Sequence, residues 1–86
     1  MLEIDPGFAL AKAQLATAYT NRSGASLLHA DRSLDIAFTL AKEAVALDPD
    51  LPQVHSALGI VHMFRHEYDL AEASHSRAVV LDPNFA

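Results

Sequence analysis

The 86-residue chain contains no cysteine, so neither a disulfide nor a thiolate metal site can stabilise its core or carry chemistry. Its six Lys and Arg residues never cluster and are outnumbered by eleven acidic residues, which removes the basic patch that a phosphate backbone requires. No apolar run approaches the ~18 residues of a membrane-spanning helix, and the first residues do not form a signal peptide. We therefore expect no nucleic-acid partner and no membrane partner. The location stays unknown, with the cytoplasm favoured, because the chain could be a fragment whose targeting information lies elsewhere.

Sequence patterns typical of catalysis are also missing. The three glycines, Gly7, Gly24 and Gly59, are scattered and form no phosphate-binding loop. The run 74–76 (Ser-His-Ser) places a base beside two hydroxyls, but adjacent residues on a helix point in different directions, so no nucleophile and base are paired. We predict no catalytic residue, no cofactor-binding residue and no cofactor, and the chain is not expected to be an enzyme.

The chain repeats itself. The motif Leu/Ile-Asp-Pro occurs at 4–6, 47–49 and 81–83, so its prolines are spaced by 43 and then by 34 positions. The match extends upstream, because residues 34–37 (Leu-Asp-Ile-Ala) align with residues 68–71 (Tyr-Asp-Leu-Ala). The sequence therefore predicts a 34-residue repeat that carries nine extra residues once.

Apolar residues recur every three or four positions, which predicts four helices. We expect them over 8–22, from about 31 to 48, from about 51 onward, and over 68–81. Helix one should end at Ser23-Gly24, because glycine tolerates the left-handed conformation that closes a helix. Asp31 is a candidate N-cap for helix two, and Asp50 and Gln53 have the spacing of a capping box for helix three.

These features resemble the tetratricopeptide repeat, a helical hairpin with a 34-residue period and a closing proline. The second repeat carries the family's signature positions Leu58-Gly59, Tyr68, Ala71, Ala78 and Asp82-Pro83. The first carries Leu15-Ala16, Tyr19, Ala37, Ala44 and Asp48-Pro49. The resemblance implies an all-α fold in which antiparallel hairpins stack as a right-handed α-solenoid of about four helices. It implies one domain over 1–86, with 1–8 as the tail of a preceding repeat, 9–51 as a repeat with an insertion near 23–31, and 52–86 as the second repeat.

In proteins similar to this family, the first helix of each hairpin lines a concave groove that receives a peptide or a helix. Carried over to this chain, the lining would be Ala13, Thr17, Thr20, Asn21, Gln53, Ser56, Ile60, Met63 and Phe64. This set has no charge, so the resemblance implies a protein or peptide partner with a neutral, partly apolar surface. An alternative is that Ile60, Met63 and Phe64 pack against a neighbouring repeat. Leu27 and Leu28 in the insertion form a further candidate contact or are tucked against the helix ends.

Self-association is the second functional hypothesis. Repeat arrays usually need about three units, because each unit buries its apolar face only against a neighbour. With two complete repeats, the chain is expected to form a homo-oligomer through its exposed repeat ends, as an oligomerisation module of a larger protein.

Histidines occupy positions where the family usually has large packing residues. In the second repeat these positions hold His55, His62 and His75. The first repeat departs from the family pattern at such positions with Lys12 and Ala41. The favoured interpretation is that the three imidazoles are buried, neutral and hydrogen-bonded, so that stability falls as the pH drops through ~6.

The alternative for the histidines is a metal-responsive or pH-responsive regulatory site. His62 and His66 are four positions apart, and on one helix such a pair could share a metal ion. Two ligands are fewer than the three or four that zinc takes, so these residues are weak candidates and no metal is predicted.

Overall fold

The computed structural model describes residues 6–25 and 30–84, and these residues form four α-helices. The helices are α1 (Pro6–Ala25), α2 (Ala30–Leu47), α3 (Pro52–Phe64) and α4 (Tyr68–Leu81). Residues 6–25 and 30–84 include no strand, so the prediction of an all-α chain with about four helices is confirmed, as are the bounds of helix four. No helix in this part of the chain combines the length and the apolar character needed to cross a bilayer.

Two capping residues expected in the first hairpin, Gly24 and Asp31, are wrong. α1 continues through Ser23 and Gly24 to Ala25, and the described glycines all have negative φ, because glycine permits the left-handed conformation without imposing it. α2 begins at Ala30, which places Asp31 inside the helix and not at its N-cap. Leu27 and Leu28 of the insertion lie outside the described residues.

The capping box expected at the start of α3 is absent. Leu51 is the N-cap residue of α3 and its side chain makes no capping hydrogen bond. The helix begins at Pro52, whose fixed φ and missing N–H suit the first helical position. Proline therefore sets the boundary one residue later than a box from Asp50 to Gln53 would place it.

The Leu-Asp-Pro motifs close both hairpins in the same way. The Asp48 N–H donates to the carbonyl of Ala44 at 3.0 Å, and the Asp48 carboxylate accepts the N–H of Asp50 at 3.2 Å. Asp82 repeats this arrangement, since its N–H donates to Ala78 and its carboxylate accepts the N–H of Asn84 at 3.1 Å. Aspartate is suited to this position because its short side chain can bond to the backbone two residues ahead.

α1 and α2 pack through alanine side chains. Six of them are at most 2% exposed: Ala9, Ala13 and Ala16 on α1, and Ala37, Ala41 and Ala44 on α2. A methyl group is the smallest side chain with a Cβ, so the two helix axes can approach closely. Lys12 Nζ lies 2.8 Å from Glu43 Oε1 and links the same two helices at the surface.

α3 and α4 are brought together at Gly59. A Cβ added to Gly59 would lie 3.0 to 3.1 Å from the imidazole atoms of His75, so the ring of His75 occupies the space that a side chain at position 59 would need. Ala71 and Ala78 on α4 are also buried. The glycine therefore allows a large ring to fit between two closely packed helices.

The two hairpins are stacked against each other. α3 packs against both α1 and α2, whereas α4 packs against α3 alone among the described helices. Val54, Ala57 and Val61 of α3 join the alanines of the first hairpin in one core. The second hairpin is thus attached to the first mainly through α3.

Replacing Gly59 with alanine tests the close approach of α3 and α4. Alanine favours the helix by up to ~1 kcal/mol over glycine, but its Cβ requires the His75 ring to move, at a cost of about 1–3 kcal/mol. We expect Gly59→Ala to lower the free energy of unfolding by about 1 kcal/mol in urea denaturation. In a His75→Ala background the same change should raise it. An equal gain in both backgrounds would contradict the packing described here.

Candidate functional site

An open groove runs between α1 and α3 and has a volume of about 220 Å³. Its lining is Leu10, Ala13, Gln14 and Thr17 from α1, with Gln53, Ser56, Ala57 and Ile60 from α3. Five of the residues expected to line a groove are therefore brought together: Ala13, Thr17, Gln53, Ser56 and Ile60. Whether they bind a partner stays a prediction.

The two sides of the groove are built from equivalent positions. Each α3 lining residue lies 43 positions after an α1 lining residue, which is the spacing of the first two Asp-Pro motifs: the pairs are Leu10 and Gln53, Ala13 and Ser56, Gln14 and Ala57, and Thr17 and Ile60. The first helices of both hairpins thus turn the same face to the groove. Applying the 43-residue spacing to the predicted residues would have added Leu10, the counterpart of Gln53, whereas Gln14 and Ala57 are counterparts of each other and neither was predicted.

No charged side chain lines the groove. The Thr17 hydroxyl donates to the carbonyl of Ala13 at 3.1 Å, so its proton is engaged within α1. Gln53 Oε1 is buried without a hydrogen-bond donor in the described part of the chain. A buried acceptor without a donor costs free energy, so Gln53 carries an unsatisfied polar atom at the side of the groove.

Four other residues expected in the groove lie elsewhere. Thr20 is fully buried, because it continues the buried stripe of α1. Its hydroxyl donates to the carbonyl of Ala16 at 2.8 Å. Asn21 is exposed near the end of α1. Met63 and Phe64 are 46% and 40% exposed and follow Ile60 along α3 without lining the groove.

His62 and His66 do not form a helical i,i+4 pair. α3 ends at Phe64, and His66 has φ 64°, in the left-handed region. The alternative in which both histidines lie on one helix and share a metal ion is therefore wrong. Within residues 6–25 and 30–84, no group of three or more His, Asp or Glu side chains could hold a metal ion.

The end of α3 is a Schellman motif with histidine in the position usually taken by glycine. The N–H of His66 donates to Met63 at 3.0 Å and the N–H of Glu67 donates to His62 at 2.9 Å, the two bonds that define this motif. An apolar contact often accompanies the second bond. Here a polar one replaces it, since His62 Nδ1 donates to Glu67 Oε1 at 2.9 Å.

This polar cap also contacts the first hairpin through Phe38 of α2. The Arg65 guanidinium lies 4.1 Å from the centroid of the Phe38 ring, and the His62 ring meets Phe38 edge-on at 5.8 Å. Arg65 Nε lies 3.1 Å from Glu67 Oε1, so one carboxylate holds both groups that touch the aromatic ring. The cluster joins α2, α3 and the turn before α4.

The three histidines expected to be buried differ in their exposure. His62 is 8% exposed, which agrees with the prediction that it is buried. His55 and His75 are only half-buried, so for these two the prediction of burial is wrong. His55 lies near the start of α3, where its Nε2 donates to the carbonyl of Pro49 at 2.6 Å.

The carboxyl of Glu67 has a pKa below its ordinary value of 4.5. The largest cause is the hydrogen bond from His62, and the charge of Arg65 also lowers the pKa, whereas desolvation acts in the opposite direction.

No family model, no curated protein and no solved structure matches the chain. The tetratricopeptide resemblance therefore stays a prediction that depends on the residues of this chain.

Replacing His66 with glycine should stabilise the protein. A residue with a Cβ costs roughly 1 kcal/mol or more in the left-handed conformation, and glycine removes that cost. We expect His66→Gly to raise the free energy of unfolding by about 0.5–1 kcal/mol, measured by urea denaturation. His66→Ala is the control, because it removes the ring but keeps the Cβ, and should give no gain. A less stable glycine variant would show that the ring stabilises this turn by more than its backbone costs.

The lowered pKa of Glu67 predicts a stability change in acid. A carboxyl whose pKa is lower in the folded protein contributes stability above its unfolded value of 4.5, and this contribution is lost as the pH falls through the folded value. Glu67→Gln should therefore be less stable than the wild type at pH 7, and the difference should shrink below pH 4.5. Urea denaturation at pH 7, 5 and 3.5 measures it. Asp35→Asn, an exposed change on α2, is the control, and its difference in stability from the wild type should not shrink in this way.

Proposed function

We propose that the chain is a protein-interaction scaffold of the tetratricopeptide type, whose groove between α1 and α3 binds a peptide or a helix. The observation that carries the proposal is the lining itself, in which four positions of α1 and their equivalents 43 residues later face one groove. A binding surface that extends from one repeat to the next is typical of stacked helical repeats. No catalytic residue and no cofactor belong to this proposal.

The finer architecture belongs to the same proposal. Repeats over 9–51 and 52–86 would stack as part of a right-handed α-solenoid. In support, α3 packs into the first hairpin against both of its helices, and the Asp-Pro turns end both hairpins with the same pair of hydrogen bonds. In this arrangement the second helices, α2 and α4, lie on the opposite side from the groove.

The chemistry of the groove indicates the class of ligand. At about 220 Å³ it is smaller than the ~300–1,000 Å³ of typical small-molecule sites, so it fits one side chain of a larger ligand better than a cofactor. Its apolar side chains and its lack of charge favour an apolar residue, since a charged group would lose its hydration without gaining a partner.

Residues outside the groove extend the proposed surface along α3. Met63 and Phe64 lie three and four positions after Ile60, on neighbouring turns of the same helix, and both are exposed. A peptide or helix anchored at Ile60 could therefore contact them as it leaves the groove. Methionine is suited to such contacts because its side chain is flexible and polarizable.

A pair of serine variants tests the groove. Linear 12-residue peptides selected on the wild-type protein from a displayed library serve as the probe, and their affinity is measured by calorimetry. We expect the selected peptides to be apolar and neutral. We expect Ser56→Asp to weaken them at least tenfold, because it places a carboxylate in an uncharged groove.

Ser76→Asp is the matched control, since it adds the same charge at an exposed position of α4 outside the groove. It should leave the affinity unchanged. Equal effects of the two variants, or no selected peptide that binds in solution, would contradict binding in the groove between α1 and α3.

A further inference from the structure

One face of α1 is largely exposed in the described part of the chain, although the equivalent face of α3 is packed. This head face consists of Leu15, Ala18, Tyr19 and Arg22, which line a shallow depression of about 200 Å³, and Leu15 is 48% exposed. The residues 43 positions later are Leu58, Val61, His62 and Arg65. Those four are covered by the first hairpin: Leu58 packs on the core, Val61 is fully buried, His62 is 8% exposed, and Arg65 lies over Phe38.

α4 presents the complementary face. Tyr68, Glu72 and Val79, here called the tail face, lie 34 positions after Leu34, Phe38 and Val45 of α2. The three α2 residues pack against the core that α3 completes. On α4, Tyr68 is 61% exposed, Val79 is 49% exposed and Glu72 is exposed, because no described helix covers α4 as α3 covers α2.

The head face and the tail face carry opposite charges at equivalent places. Inside the chain, Arg65 of the second hairpin lies 4.1 Å from the ring of Phe38 in the first. The residue equivalent to Arg65 is Arg22, and the residue equivalent to Phe38 is Glu72. A second copy stacked in the same register would therefore bring an arginine to a carboxylate, where the internal interface has an arginine over an aromatic ring.

We propose that the chain associates with copies of itself head to tail, the head face of one copy packing on the tail face of the next with Arg22 paired to Glu72. The contact covers Leu15 on one copy and Tyr68 and Val79 on the other, and it repeats the packing of α3 on α2. Because the two faces differ, the contact is heterologous, and each added copy leaves a new head face and a new tail face free. The association is therefore open-ended. It does not depend on a ligand in the groove.

Charge reversal tests the pairing by sedimentation equilibrium at low salt. We expect the weight-average mass of the wild type to rise with concentration from the 9.3 kDa of a single chain. Arg22→Glu places two carboxylates together and Glu72→Arg places two guanidinium groups together, so each variant alone should remain at 9.3 kDa. An equimolar mixture of the two variants should recover the rise, because every contact between unlike copies is again a pair of opposite charges.

Arg32→Glu and Asp50→Arg are the matched controls, since both residues are exposed and neither belongs to the head face or the tail face. They should associate as the wild type does. Circular dichroism of each variant checks that the helices remain folded. A wild type that stays at 9.3 kDa up to millimolar concentration would overturn the proposal. Association that persists in the single reversals, or a mixture that does not recover it, would also overturn it.

Discussion

The structure depends on the close approach of its helices. α1 and α2 meet through alanines that are almost completely buried, and α3 and α4 meet where Gly59 leaves room for the ring of His75. With few aromatic side chains and no disulfide, the chain relies on these contacts, on the apolar side chains around them and on the polar cluster at the end of α3 to hold the hairpins together. Close packing fixes the rotation of α1 and α3 about their axes, and that rotation determines which positions face the groove. The neutral groove is thus a consequence of how the small residues are spaced.

The polar cluster at the end of α3 has a different role from the alanine contacts. His62, Arg65 and Glu67 satisfy one another, and two of them contact Phe38 of the first hairpin. Packing of methyl groups is nonspecific in direction, whereas hydrogen bonds and a cation over a ring require one relative position of the hairpins. The cluster therefore helps to select the register in which the second hairpin stacks on the first.

The sequence was informative wherever periodicity decided the outcome. The 3.6-residue pattern predicted all four helices, and the 43-residue spacing could have added Leu10 to the five groove residues that were predicted. Prediction failed at the ends of helices, where a single residue decides the boundary. Gly24 stayed helical, Pro52 and not Asp50 set the start of α3, and His66 adopted the left-handed conformation without being glycine. Thr20 shows a further limit, since a hydroxyl that bonds to its own helix can be buried as easily as an apolar group.

The groove has one side on each hairpin, which affects what a ligand would do to the protein. Positions 10, 13, 14 and 17 belong to α1 and their counterparts to α3, so a single anchoring side chain would touch both hairpins at once. Such a ligand would bind the stacked arrangement of the hairpins and not a separated one, and it would therefore stabilise the stacking by mass action. The free energy of binding and the free energy of stacking would then be linked, so that a change which loosens the contact between the hairpins would also weaken the ligand.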